Sequence, residues 1–347
     1  MDKYPGLAAG KNRFFTDVVK RIQRTLVNKN GIGGSLISCG ALLERALYYR
    51  IANHSVDRPI FIIGAPRSGT TILYKVLIQH DDLAYLTQAS DLFHECPIIA
   101  NKIFRLTGMA MIRPDPVGLL QQWAEHGFEY AEGYNFWWRF SNSPQRFVLG
   151  AEDVTEEQRF FYKWSIARHQ FLFERPRFVN KAPINSLRIG YLNEIFPDSL
   201  FIHIYRDGRA VARSILERRI RQGSPYADWG PRPYGWSEIQ KQQPLLACGL
   251  QWKHILEHVQ TELASIPLRR QMSVSYESFV NSPRETLVRL LSFCQLAPSK
   301  AVLDMATSIR NMNFKWQDEF VREEIVKLET VIGDALSKWG YVLSGAC

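Results

Sequence analysis

Residues 59–71 read Pro59-Ile60-Phe61-Ile62-Ile63-Gly64-Ala65-Pro66-Arg67-Ser68-Gly69-Thr70-Thr71. Four consecutive apolar residues, with no polar alternation, are what a parallel strand covered on both faces requires. The run breaks at Gly64, and Ile72 to Ile78 carries a helical pattern. Working outward, strand signals recur at Arg177-Phe178-Val179, Leu200-Phe201-Ile202-His203-Ile204 and Met272-Ser273-Val274. Helical patterns lie between them at Leu187–Ile195, Val211–Arg221 and Leu250–Leu263. Strands alternating with helices imply a parallel sheet, so the expected fold is α/β, three layers deep around a central parallel sheet.

The chain has 347 residues, 46% of them hydrophobic and 12% aromatic, ample for a buried core. No repeat or low-complexity tract divides it. We read one domain over residues 58–347 behind a helical N-terminal extension, residues 1–57. In that extension Phe14, Phe15, Val18, Val19 and Ile22 fall at helical spacing, with Lys20, Arg21 and Arg24 on the polar face. After a break at Gly31-Ile32-Gly33-Gly34, Leu43, Leu47 and Ile51 suggest a second helix. A basic amphipathic helix suits either a peripheral membrane contact or packing on the protein's own core.

The segment Gly64 to Thr71 has the spacing GxxxxG followed by two threonines, the frame of the P-loop. Glycines let the backbone curl so that successive N–H groups point inward, and the following helix offers unpaired donors and the positive end of its dipole. Ser68, Gly69, Thr70 and Thr71 are therefore candidate phosphate ligands. The lysine that follows the second glycine in ATPases is replaced here by Thr70, and Arg67 sits inside the loop. This departure suits a single phosphate with a leaving group beside Arg67. A second anion site suggests itself where the strand ending at Tyr205 runs into Arg206-Asp207-Gly208-Arg209, with Ser214 eight residues after Arg206. An arginine at the strand's end and a serine two turns into the helix can share one phosphate.

Together these motifs resemble those of sulfotransferases that use 3′-phosphoadenylyl sulfate (PAPS). Pro66-Arg67-Ser68-Gly69-Thr70-Thr71 resembles that family's 5′-phosphosulfate loop, and Arg206 with Ser214 its 3′-phosphate motif. Val274-Ser275-Tyr276-Glu277, then Asn281-Ser282-Pro283, resembles a family strand and helix in which the tyrosine lies near the adenine; Tyr276 is thus a nucleotide-site candidate. Asn313-Phe314-Lys315-Trp316 resembles a segment that closes over the nucleotide, and Arg310-Asn311 is the nearest match to its upstream basic triplet. The resemblance implies a P-loop-like fold and PAPS as donor, with neither metal nor ATP.

By the same resemblance, Arg67 would offset charge on the bridging oxygen, and Lys181 stands where cytosolic relatives carry their catalytic histidine. Lysine can steady sulfuryl oxygens but is a poor base at neutral pH unless its pKa is depressed. Other relatives place a carboxylate in the loop after the first helix and second strand. Here that loop reads Thr87 to Glu95, making Asp91 and His94 level candidates for the base, with Glu95 also within reach and Glu129 or Glu132 next in line.

The net charge of +9 is dispersed, without a run of five like charges or zinc-finger spacing, which fits a phosphate-rich ligand better than nucleic acid. Five cysteines, odd in number and far apart, fit reduced thiols. There is no apolar stretch of spanning length and no apolar secretion-signal core, so a cytoplasmic location is expected. The acceptor is expected to be a small molecule or glycan: a carbohydrate, glycolipid or secondary metabolite, with Trp123, Phe136, Trp137, Trp138, Trp229 and Trp236 either stacking on it or packing the core. Two rival readings are a P-loop kinase-like enzyme, disfavoured by the missing lysine and Walker-B acid, and an inactive nucleotide-binding adaptor.

Overall fold

A computed structural model describes residues 32–47, 55–106, 130–141, 146–311, 313 and 321–344. The chain forms two compact units, Met1–Asn53 with Thr87–Ala131, and His54–Leu86 with Glu132–Cys347. The larger unit is built on a five-stranded sheet: β1 (Ile60–Ile63), β2 (Leu83–Ala84), β3 (Arg177–Lys181), β4 (Leu200–Tyr205) and β5 (Gln271–Ser275). The strand order is β2-β3-β1-β4-β5 and every neighbouring pair is parallel. Helices flank this sheet, which is the α/β architecture expected from the alternation of patterns. β1 and β3 are buried at every residue, and β4 at all but its last, which explains the unbroken apolar run of β1; β3 carries Arg177, Asn180 and Lys181 and β4 carries His203 among their buried residues.

β1 occupies the centre. Its Phe61 ring packs against Trp137, Phe196 and Phe201 at centroid separations of 6.0, 5.8 and 5.9 Å. The register pairs Ile63 with His203, so β1 and β4 end side by side and release their loops at one edge. Ligand sites of open α/β sheets lie beyond the carboxyl ends of the strands where the strand order reverses, and this is such a point.

Three local expectations need correction. Tyr276 is not on a strand: β5 stops at Ser275, whose hydroxyl accepts the Ser278 N–H at 3.1 Å and caps a helix over Tyr276–Asn281. The helix after β4 begins at Gly208, three residues before the apolar pattern, because Asp207 accepts the Arg209 N–H at 2.9 Å. Gly33-Gly34 does not break the chain, since a helix spans Ile32–Leu47. Glycine inside a helix costs about 1 kcal/mol but does not forbid it. The pattern at residues 14–22, and Ile51, lie outside the described residues.

In the smaller unit, Glu44 accepts the Ile99 N–H at 2.9 Å, and Thr87, Ser90 and Asn101 form a buried hydrogen-bonded cluster.

Candidate active site

Gly64 follows β1 with φ 149°, and a Cβ there would stand 2.1 Å from the Ile204 carbonyl oxygen. Only glycine lets the loop turn against β4 so closely. Gly69 caps the next helix, Thr70–Leu77, in the left-handed region with φ 95°. Between the glycines, Ser68 is fully buried, and its hydroxyl has no hydrogen-bond partner among the described residues. A buried hydroxyl without a partner carries a desolvation cost that an anion in the loop would relieve.

The second loop meets the first. The Arg67 guanidinium donates from Nε to Ser214 Oγ at 2.8 Å, and Arg206 donates to the Arg67 carbonyl at 3.2 Å. Arg206 is also oriented from below: its guanidinium carbon lies 4.4 Å from the centre of the Tyr276 ring, and its Nε donates to Asn313 at 2.8 Å. Asn313 in turn donates to Glu277 at 3.0 Å, and Glu277 accepts the Asp207 N–H at 3.1 Å and the Tyr341 hydroxyl at 3.0 Å. Sequence alone places Glu277 and Asn313 within motifs but gives them no task. Their shared role, holding Arg206, depends on residues up to 107 positions apart.

Both loops open into one cavity of about 810 Å³. Seven basic residues line it (Arg67, Lys181, Arg206, Arg218, Arg221, Arg232, Arg310) against three acidic ones (Glu132, Glu217, Asp228). Desolvation lowers the Arg67 pKa, with the like charges of Arg206 and Arg221 adding to it. Arg206 shifts the same way, again through desolvation first. Two guanidiniums made less comfortable by burial, Arg67 also by the neighbouring Arg206 charge, are poised to gain from an anion. Trp138, Phe147 and Trp229 form an apolar part of the wall, whereas Phe136 and Trp137 are core residues.

Lys181, at the end of β3, is buried and donates to Thr71 Oγ1 at 2.9 Å and to the Glu132 carboxylate. Burial pushes its pKa down, and Glu132 pulls it partly back. The structure thus joins Arg67, Thr70, Thr71, Lys181, Arg206, Ser214 and Tyr276 around one space. Asp91 lies in a short helix, Gln88–Leu92, and His94 just beyond it, its Nδ1 3.4 Å from the Asp91 carbonyl oxygen; both belong to the smaller unit. Arg310 lines the cavity, while Trp123, Glu129 and residues 314–316 fall outside the described residues.

The model of the Sulfotransferase family matches residues 59–299, which include both loops. The chain belongs to that family. It is 25% identical over 291 residues to a protein-tyrosine sulfotransferase of Drosophila melanogaster, an alignment that covers 84% of this chain and 48% of that protein. It is 24% identical over 297 residues to protein-tyrosine sulfotransferase 2 of Gallus gallus, covering 82% and 64% respectively. The chain therefore spans about half the length of the first of these relatives and under two thirds of the second. Among solved structures, sulfotransferase STF1 of Mycobacterium tuberculosis H37Rv superposes with a TM-score of 0.55 at 16% identity, covering 85% of this chain and 81% of that one. STF9 of Mycobacterium avium gives 0.54 at 12%, covering 88% and 82%. These likenesses speak to the fold.

Proposed function

We propose that the protein transfers a sulfuryl group from PAPS to the phenolic hydroxyl of a tyrosine in a protein or peptide, releasing adenosine 3′,5′-bisphosphate (PAP). The observation that carries this reading is the meeting of two anion-binding loops, joined by the Arg67–Ser214 hydrogen bond, in one positively charged cavity. The loop from Ser68 to Thr71 would hold the 5′-phosphate through backbone N–H groups and hydroxyls. Arg206 and Ser214 would hold the 3′-phosphate, with Tyr276 flanking the nucleotide. Arg67 would stabilise charge on the departing phosphate, and Lys181 charge on the sulfuryl oxygens.

The acceptor moves from the glycan or small molecule expected from sequence to a tyrosine because the curated relatives are named for that activity. The aromatic wall of Trp138, Phe147 and Trp229 also suits a phenol ring, which packs edge-to-face or offset on such side chains. The test is transfer of label from [35S]PAPS to a tyrosine-containing peptide and to its phenylalanine counterpart. Label on the tyrosine peptide alone supports the reading. Label on neither, or on a glycan acceptor instead, removes the tyrosine.

A further inference from the structure

We propose that Glu132 is the general base for the acceptor hydroxyl, an assignment that rests on the sulfuryl-transfer reading above. The reaction needs one, because a phenol with a pKa of about 10 is almost wholly protonated at neutral pH. Glu132 is held at both ends. Its carbonyl accepts a hydrogen bond from Asn180 at 3.3 Å, and its carboxylate accepts one from Lys181, the next residue along β3. Asn180 is itself fixed, accepting from Trp137 Nε1 at 2.9 Å and from Asn185 at 3.2 Å. Gly133 then turns the chain sharply at φ 80° into the helix Tyr134–Trp138.

The asymmetry of the ion pair decides the role. Lys181 is 3% exposed at its side chain, whereas Glu132 is 30% exposed and lines the cavity. The pair buries its cation and presents its carboxylate. A purely structural pair, packed for stability, has no need of that orientation. Of the other cavity carboxylates, Glu217 faces Arg213 and Arg221 on the helix that carries Ser214, and Asp228 is taken by Arg232. Glu132 alone among the three is linked, through Lys181, to Thr71 in the 5′ loop, where the sulfuryl group would sit.

In the step, the acceptor oxygen forms a bond to sulfur as the bond from sulfur to the bridging phosphate oxygen breaks, its electron pair leaving with PAP. The hydroxyl proton passes to a Glu132 carboxylate oxygen and later to water. As Glu132 is neutralised, the Lys181 ammonium turns from its partner to the charge on the sulfuryl oxygens. Among the described residues, Arg67 from the 5′ loop and Tyr134 from the segment that carries Glu132 are further ionisable groups that interact with the Glu132–Lys181 pair.

The test compares wild-type protein with Glu132→Gln, using labelled PAPS, a tyrosine peptide, phenol and 4-nitrophenol. Glu132→Gln should lower kcat with peptide and phenol by about 10²–10⁴-fold, the usual share of a general base, and abolish the acid limb of the pH profile. PAP affinity should not change. With 4-nitrophenol, which ionises near neutral pH unaided, the defect should shrink by roughly tenfold or more. A merely structural role predicts the same loss for every phenol, and that result, or near-normal turnover, overturns the assignment. Should Glu132→Gln fail to bind PAP, Glu132→Asp carries the same comparison. Wild type that binds PAP but sulfates none of the three acceptors removes the proposed reaction and the base with it.

Discussion

Replacing Arg206 with alanine tests whether the cavity distinguishes a nucleotide with two separate phosphates. In the structure Arg206 donates to Asn313 and to the Arg67 carbonyl, both neutral acceptors, and lies over the Tyr276 ring. Its proposed contact with a 3′-phosphate would be charge-assisted, worth about 1.5–3 kcal/mol. At about 1.4 kcal/mol per tenfold, PAP should bind Arg206→Ala about 10- to 100-fold more weakly. Titration calorimetry with PAP and with adenosine 5′-phosphate, on both proteins, completes a cycle in which the phosphate and the arginine are removed separately. Only PAP should lose affinity, since adenosine 5′-phosphate offers Arg206 nothing. The Arg67 carbonyl bond supplies the competing explanation: loss of Arg206 could slacken the 5′ loop. In that case both nucleotides would weaken equally, and the assignment of the 3′ site would be refuted.

Gly69→Ala should be damaging, because it places a Cβ at φ 95° and 2.6 Å from the Tyr276 ring. Left-handed backbone and overpacking each cost about 1–3 kcal/mol, so urea unfolding should show a loss of that order or more together with weaker PAP binding; an unchanged midpoint would count against so close an approach of loop and ring. Acid should destabilise the fold through two buried histidines: desolvation holds His203 down at about 3 and His169 at about 4, against an ordinary 6.5. Both stay neutral in the folded protein while the unfolded chain takes up protons, so their contribution is full above pH 6.5 and is lost as pH falls towards those values. At about pH 5 the cost approaches about 2 kcal/mol for each. His203→Phe should flatten the fall in melting temperature between about pH 7 and 5, and an identical slope would show that His203 does not titrate this way.

The two loops that meet at the cavity stand out in the sequence because each is a contiguous segment whose residue types act locally. Gly64 and Gly69 bracket one loop, and Arg206 and Ser214 are tied by the eight-residue spacing across a strand–helix joint. β1 is legible as an unbroken apolar run, and β3 and β4 through their shorter apolar stretches at Phe178-Val179 and Leu200 to Ile202, whereas β2 is two residues long and has no period to detect. The Glu132–Lys181 pair is not legible in this way. Glu132 and Lys181 are 49 residues apart, and their pairing comes from where β3 lies in the sheet, which no local pattern encodes. Tyr276 reads as strand because Met272 to Val274 is strand-like, and the capping serine at 275 that ends it outweighs that propensity. Arg206 stands out in its motif, but the chain of Asn313, Glu277 and Tyr341 that aims it draws on distant turns of the chain.

The side-by-side ending of β1 and β4 has a consequence for how such a protein can change. Neighbouring strands stand about 4.8 Å apart because backbone hydrogen bonds set that distance, whatever the side chains. The distance between the points where the two loops begin is therefore a gauge cut in the main chain, and no single side-chain replacement on either strand can widen it. Changing that distance would require inserting or deleting loop residues, which also shifts the helix that follows. The apolar part of the wall is made of side chains from unrelated segments, at 138, 147 and 229, each replaceable without moving a strand. The spacing at which the two loops begin is thus set by the sheet, while the apolar wall can change one residue at a time.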